Sequence, residues 1–176
     1  MSRFGATSQR RGRRGGYRGS AGFTLIEMLI VVLLVSVLVA VMPAVQGLKD
    51  AVVGLSEGPN KKLAPIAERL RFEANDLVDN PDSTQAIAWQ VVVGAANADP
   101  VTGTLDPDAL QALNVNLLER EANIVVLMGQ LDATLGTPLA PAERKMLQDA
   151  NSALSQALDA VRKMKAVIPL RLLVAP

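Results

Sequence analysis

The chain begins polar, turns apolar, and then settles into a helical rhythm. Residues 1–20 are mostly Arg, Gly and Ser, with Phe4 and Tyr17 as their aromatic side chains. From Phe23 to Val45 the polar side chains are Thr24, Glu27 and Ser36. At the helical rise this run is roughly 34 Å long, enough to cross a hydrocarbon core of about 30 Å. Fifteen of its residues are Phe, Leu, Ile or Val. At about −0.3 to −0.6 kcal/mol each they favour insertion by roughly 4 to 9 kcal/mol, against about 2.5–3.5 kcal/mol for a central acid and less for one near the interface. Insertion therefore wins despite Glu27. Pro43 lacks an N–H and crowds the carbonyl of Val39, so a kink or loosening is expected there. The helix should continue through about Leu55, weakened at Gly47 and Gly54, until Gly58-Pro59 stops it.

Beyond residue 60 the apolar positions step by three and four. Leu63, Ile66, Leu70, Ala74 and Leu77 form one stripe, and Asn80-Pro81 ends it. Asp82 or Ser83 can cap a second helix through about Ala98, although residues 87–93 (Ile-Ala-Trp-Gln-Val-Val-Val) carry enough β-propensity to compete. Residues 97–108 read as a loop. Asp106 is then a good N-cap with Pro107 at the first helical position. The third helix turns Leu110, Leu113, Leu117, Ile124, Met128, Leu131 and Leu135 inward, and Gly136 to Pro141 breaks it. The fourth runs from about Pro141 to Val167, with Leu147, Ala150, Leu154, Leu158, Val161 and Met164 inward. Pro169 should end it, leaving Leu170–Pro176 as an apolar tail that forms a late strand or docks in a groove. The expected fold is mainly α: a long N-terminal membrane helix, then a small head of four predicted helices in an antiparallel bundle with little or no sheet. The natural division is 1–22 as a basic leader, 23–58 as membrane helix and exit segment, and 59–176 as a soluble head.

Charge and composition narrow the function. The net charge of +1 hides an asymmetry: residues 1–22 hold six arginines and no acid, and the remainder has 12 basic against 17 acidic side chains, a net −5. The arginines fit a cytoplasmic tail obeying the positive-inside rule better than an RNA-binding arginine-glycine segment, because a membrane run follows directly. No nucleic-acid partner is expected for the rest. The chain has no cysteine and no histidine. That excludes disulfides, thiol nucleophiles, zinc sites built on these ligands and imidazole-dependent triads. No Gly-rich phosphate loop appears either. Asp99, Asp106 and Asp108 could suggest calcium, but their spacing is not that of an EF-hand, and turn and capping roles account for them. Glu119, Arg120 and Glu121 read as a solvated helix face, Arg162, Lys163 and Lys165 as cations suited to a helix C-terminus, and Trp89 as a core anchor. No enzyme, cofactor or metal is expected.

Glu27 does not belong in a plain anchor, since a carboxylate entering hydrocarbon needs water, a proton or a cation. An ordinary secretory signal has a shorter apolar core followed by a small-x-small site. A signal anchor explains the length and the arginines but leaves Glu27 unexplained. The order of features (basic leader, small residues, Gly22, Phe23, Thr24, Leu25, Ile26, Glu27, apolar run) resembles the leader junction of the type IV pilin and pseudopilin family over residues 18–45. The resemblance implies that a membrane prepilin peptidase cuts between Gly22 and Phe23 on the cytoplasmic side and methylates the new Phe23 amine. It implies a structural subunit of a pilus, type II secretion or competence filament, held in the inner membrane by one helix with its head outside. It also implies assembly with other pilin-like subunits. A positive Phe23 amine and the Glu27 carboxylate of a neighbouring subunit would attract strongly where the dielectric is low. Alternatively Glu27 snorkels to the headgroups or pairs with its own N-terminus. Heads in that family usually pack an antiparallel sheet against the long helix, and the strand signals here are few. The other reading is an uncleaved single-pass protein with a helical binding or signalling head.

Overall fold

The computed structural model describes residues 25–79, 83–88 and 107–173. Its elements are α1 (Leu25–Glu57), α2 (Ala64–Val78), α3 (Pro107–Leu135) and α4 (Pro141–Leu173), with a 3-10 turn over Lys61–Leu63 and a helical stretch over 84–88. No strand occurs among the described residues. The mainly helical fold with a long apolar N-terminal helix is therefore what the chain adopts. Ile87 and Ala88 are helical and buried, while Trp89 and residues 90–93 lie outside the described residues.

The arrangement differs from an anchor followed by a separate bundle. α1 is itself one wall of the bundle, and the sequence shows why. Its buried residues Ile30, Leu34, Val37, Val41, Ala44, Leu48, Ala51 and Leu55 alternate steps of four and three. The same alternation runs through Leu63, Ala67, Leu70, Ala74 and Leu77, and through Leu117, Arg120, Ile124, Leu127 and Leu131 on α3. On α4 it runs through Leu147, Ala150, Leu154, Ala157, Val161, Met164 and Ile168. A repeat averaging 3.5 residues keeps a seam facing its partners when helices cross at about 20°, so one shared period lets all four pack along their lengths.

Long-range polar contacts fix the directions. Lys49 Nζ lies 3.1 Å from Asp79 Oδ2, placing the end of α2 beside the middle of α1. Arg69 donates to Gln130 Oε1 at 2.7 Å, and Asn151 donates to Asp132 Oδ1 at 3.0 Å. The helices thus alternate up, down, up and down, with α4 closing the ring against α1. On α1, a Cβ added to Gly47 would lie 3.1 Å from the Ala153 Cβ, and one added to Gly54 would lie 2.6 Å from Met146 Sδ. Besides lowering the helix propensity of α1, these glycines let the α4 surface approach it.

Local chemistry sets the helix ends. Asn60 Oδ1 accepts from the Lys62 N–H at 3.2 Å, starting the 3-10 turn that leads into α2. Ser83 Oγ accepts from the Ala86 N–H at 3.1 Å and so caps the 84–88 stretch. Pro141 opens α4, and Glu143 Oε2 accepts from the Ala140 N–H at 3.0 Å, half of a capping box. The expected stop at Pro169 is overturned: α4 runs on to Leu173. A proline there removes one hydrogen bond to Lys165, but its side chain points to solvent and the buried Val167 and Ile168 hold the helix against the core. Arg162, Lys163 and Lys165 are consequently well inside α4, not in its last turn, and they are held by partners other than the helix terminus.

Candidate functional site

Two places in the molecule bear on function: the amino-terminal stretch of α1 and a polar layer within the bundle. Gly22 and Phe23 lie outside the described residues. Glu27 belongs to the first turn of α1, whose backbone is already helical from Leu25. α1 is long and apolar enough to cross a membrane over Met28–Glu57. It presents two opposed apolar faces. One is the buried stripe from Ile30 to Leu55. The other is exposed: Leu25, Met28, Leu29, Val32, Val35, Val39 and Met42. Soluble helices of a globular domain usually keep one such face, with polar residues opposite. From Met28 to Met42 the polar side chain on the outer face of α1 is Ser36, and its hydroxyl is satisfied by the carbonyl of Leu33 at 2.6 Å. Water is a poor medium for that face, and hydrocarbon or another apolar helix is a good one.

The inner face of the same turns is covered by α4. With Gly47 against Ala153 and Gly54 against Met146, the antiparallel register brings residues 30–41 level with residues 159–170. That half of α4 also carries Asp159, Arg162, Lys163 and Lys165. Arg162 Nε donates to Glu121 Oε1 of α3 at 2.7 Å, and Lys165 Nζ donates to Glu121 Oε2. Lys163 pairs with Asp159 at 2.7 Å within α4. These hydrogen bonds, Lys165 first and then Arg162, hold the Glu121 carboxyl below the usual carboxylate range. Moving this half of α4 into hydrocarbon along with α1 would cost about 2.5–3.5 kcal/mol for each charge not neutralised there.

The polar layer is what the sequence reading missed. Glu119, Arg120 and Glu121 were expected to form one solvated face; only Glu119 is exposed. Arg120 occupies a core position of α3 and is 9% exposed. Its guanidinium donates to the Asp76 carbonyl and, at 3.0 Å, to Thr84 Oγ1. Thr84 and Ser83 are fully buried beside it. Glu73, on the inner edge of α2, is 8% exposed, and its Oε2 has no hydrogen-bond partner among the described residues. Burial, helped by the nearby Asp76 charge, pushes the Glu73 carboxyl up to about 7, although Arg120 and Arg69 pull the other way. A shallow recess of about 200 Å³ opens beside this layer, lined by Asp76, Asn116, Glu119, Arg120 and Asn123. Arg120 falls in phase with Leu117, Ile124 and Leu127, so the heptad alone would have flagged it.

Among the described residues no group of three or more acidic side chains could hold a metal ion. Asp99 and Asp106 lie outside those residues, and Asp108 sits in the first turn of α3.

Residues 17–43 match the prokaryotic N-terminal methylation motif, the type IV pilin-like signature. The match spans the basic-to-apolar junction, Gly22, Phe23, Glu27 and the first half of α1. Neither a curated protein nor a solved structure matches the chain.

Proposed function

We propose that the chain is the precursor of a filament subunit, a pilin-like protein or pseudopilin of a type IV pilus, type II secretion or competence machine. The observation that carries this reading is the methylation motif lying on the junction where an arginine-rich segment meets a membrane-length apolar helix. The motif supports a type IV pilin-like precursor, and such proteins are structural subunits, not enzymes. In this proposal a prepilin peptidase cuts between Gly22 and Phe23 and methylates Phe23. The head lies outside the cytoplasmic membrane, anchored by α1. Glu27, in the first turn of the mature helix, meets the Phe23 amine of a neighbouring subunit as the helices assemble. The exposed face from Leu25 to Met42 supports this, because it offers lipid first and other subunits later an apolar surface on which the Ser36 hydroxyl is already satisfied within the helix.

The test is the intact mass of the membrane-extracted protein. Loss of residues 1–22, with or without one added methyl group, is the expected result. A full-length mass would point to the other reading, an uncleaved single-pass protein with a helical binding or signalling head, which the absence of strands among the described residues favours.

A further inference from the structure

A bundle helix in water needs one apolar face, and α4 keeps to that. Opposite its seam it shows Lys145, Gln148, Ser152, Gln156, Asp159 and Lys163 to solvent. α3 does not. Opposite the seam of Leu117, Ile124, Leu127 and Leu131 it carries a second stripe, Val115, Leu118, Ala122, Val125 and Gly129, again in alternate steps of three and four. Val126 widens it. Val115, Leu118, Val125 and Val126 are between 43% and 53% exposed. A Cβ placed on Gly129 would meet nothing within 4 Å. No polar side chain falls on the stripe between Val115 and Gly129. α3 packs on α4 and α2 and lies across the bundle from α1, so this surface is separate from the exposed face of α1.

We propose that this face is where two copies of the chain pair, α3 against α3 and parallel. Val115 and Leu118 hold the first and fourth places of a heptad, and a β-branched residue followed by Leu at those places favours two parallel strands. Ala122 and Gly129 hold the first place of the next two heptads, where small side chains let the two backbones come close. The charges permit this sense. Across such a seam Glu121 of one copy meets Val126 of the other, and Glu119 meets Asn114, so no two acids are opposed. α1 and α3 run in the same direction, so copies anchored in one membrane present α3 in the same sense; this step alone rests on the membrane reading given above. The stripe offers roughly 300–400 Å² per copy, against about 800 Å² per partner in a standard interface. The pair is therefore weak in free solution and gains from the confinement of both copies to one membrane. It leaves the outer face of α1 free.

The chain has no cysteine, so one introduced residue is the only thiol in each copy. In a parallel pair each seam residue meets its own counterpart, near the Cα separation of about 4.4–6.8 Å that a disulfide spans. The full chain carrying Leu118→Cys, Ala122→Cys or Val125→Cys, one at a time, would be oxidised with copper phenanthroline in membrane vesicles. All three should give a disulfide-linked dimer on a non-reducing gel. Asn123→Cys, beside the stripe, and Ser152→Cys, on the outer face of α4, should give several-fold less. Ala122→Lys added to Val125→Cys should abolish the cross-link by setting like charges face to face. It should leave the denaturant midpoint where it was, since position 122 is exposed in the single copy. Coexpression with copies carrying Ala122→Glu and Val125→Cys should restore the cross-link. Linkage at 122 with 118 and 125 silent, as in an antiparallel pair centred there, would overturn the parallel pairing. No linkage at any of the three would mean another occupant, residues 89–106 of the same chain or an unlike partner, and would overturn the proposal outright. Equal linkage at 123 and 152 would do the same, as the mark of random collision. Alkali extraction of the same vesicles tests the membrane reading separately: release of the chain would remove that reading, while the cysteine pattern still decides the pairing.

Discussion

Gly47 and Ala153 meet so closely that a Cβ on the glycine would stand 3.1 Å from the alanine Cβ. Valine at position 47 has no room unless α4 moves away from α1. Gly47→Val should lower stability by about 1–3 kcal/mol, the usual cost of overpacking a seam. Gly129, within α3, is the contrast: a Cβ there would meet nothing within 4 Å. Gly129→Ala should raise stability by about 0.5–1 kcal/mol through backbone entropy alone. Denaturant midpoints of the two variants in one detergent check both signs.

The Glu73 carboxyl gives the fold a pH dependence of known direction. Its pKa is raised to about 7 from 4.5. Between those values the unfolded chain has lost the proton that the folded chain keeps, so stability falls as pH rises from 4.5 to 7 and is level outside that window. The full shift corresponds to at most about 3 kcal/mol. Glu121, whose pKa is lowered, acts in the opposite sense and only in more acidic solution: its contribution is present above 4.5 and lost as pH drops through the folded value. Unfolding at pH 5 and pH 7.5 should therefore show the native chain less stable at the higher pH. Glu73→Gln should largely remove the difference.

Arg120 is a buried cation whose removal leaves the Asp76 carbonyl and the Thr84 hydroxyl short of a donor. Arg120→Ala should cost about 3–5 kcal/mol, as breaking a buried charge cluster does. Replacing both charges, Arg120→Leu with Glu73→Leu, should recover most of that loss. A thermal melt of the three proteins distinguishes a charge cluster that is needed from one that is merely tolerated.

At the amino end, Gly22→Leu should block cutting and leave a full-length mass. Glu27→Ala should still insert and be cut, because neither the apolar run nor the junction glycine is touched, but it should assemble poorly. Counting filaments from cells expressing each variant checks the second outcome; normal filaments from Glu27→Ala would remove the carboxylate from the assembly step.

Most of the helical architecture was legible because a buried stripe leaves a periodic trace. Leu147, Ala150, Leu154, Leu158, Val161 and Met164 were all identified as inward from spacing alone, and all are buried. What escaped was the identity of each helix's partner. A run as apolar as Phe23 to Val45 reads as lipid-facing all round, and its second role as a wall of the bundle is visible only in the phase it shares with α4. Arg120 is hidden for the opposite reason: its charge implies solvent, although its position in the repeat puts it inside. Pro169 has the look of a full stop, yet one missing N–H does not end a helix whose neighbouring side chains are anchored in the core.

The double duty of α1 decides where this molecule tolerates the scissors. Trimming a bitopic protein at the membrane boundary normally frees a self-sufficient ectodomain. Here a fragment beginning at Ala64 would strip the cladding from Leu147, Ala150 and Leu154. It should precipitate, whereas one beginning at Ala44 keeps Leu48, Ala51 and Leu55 as a lining and should stay dissolved.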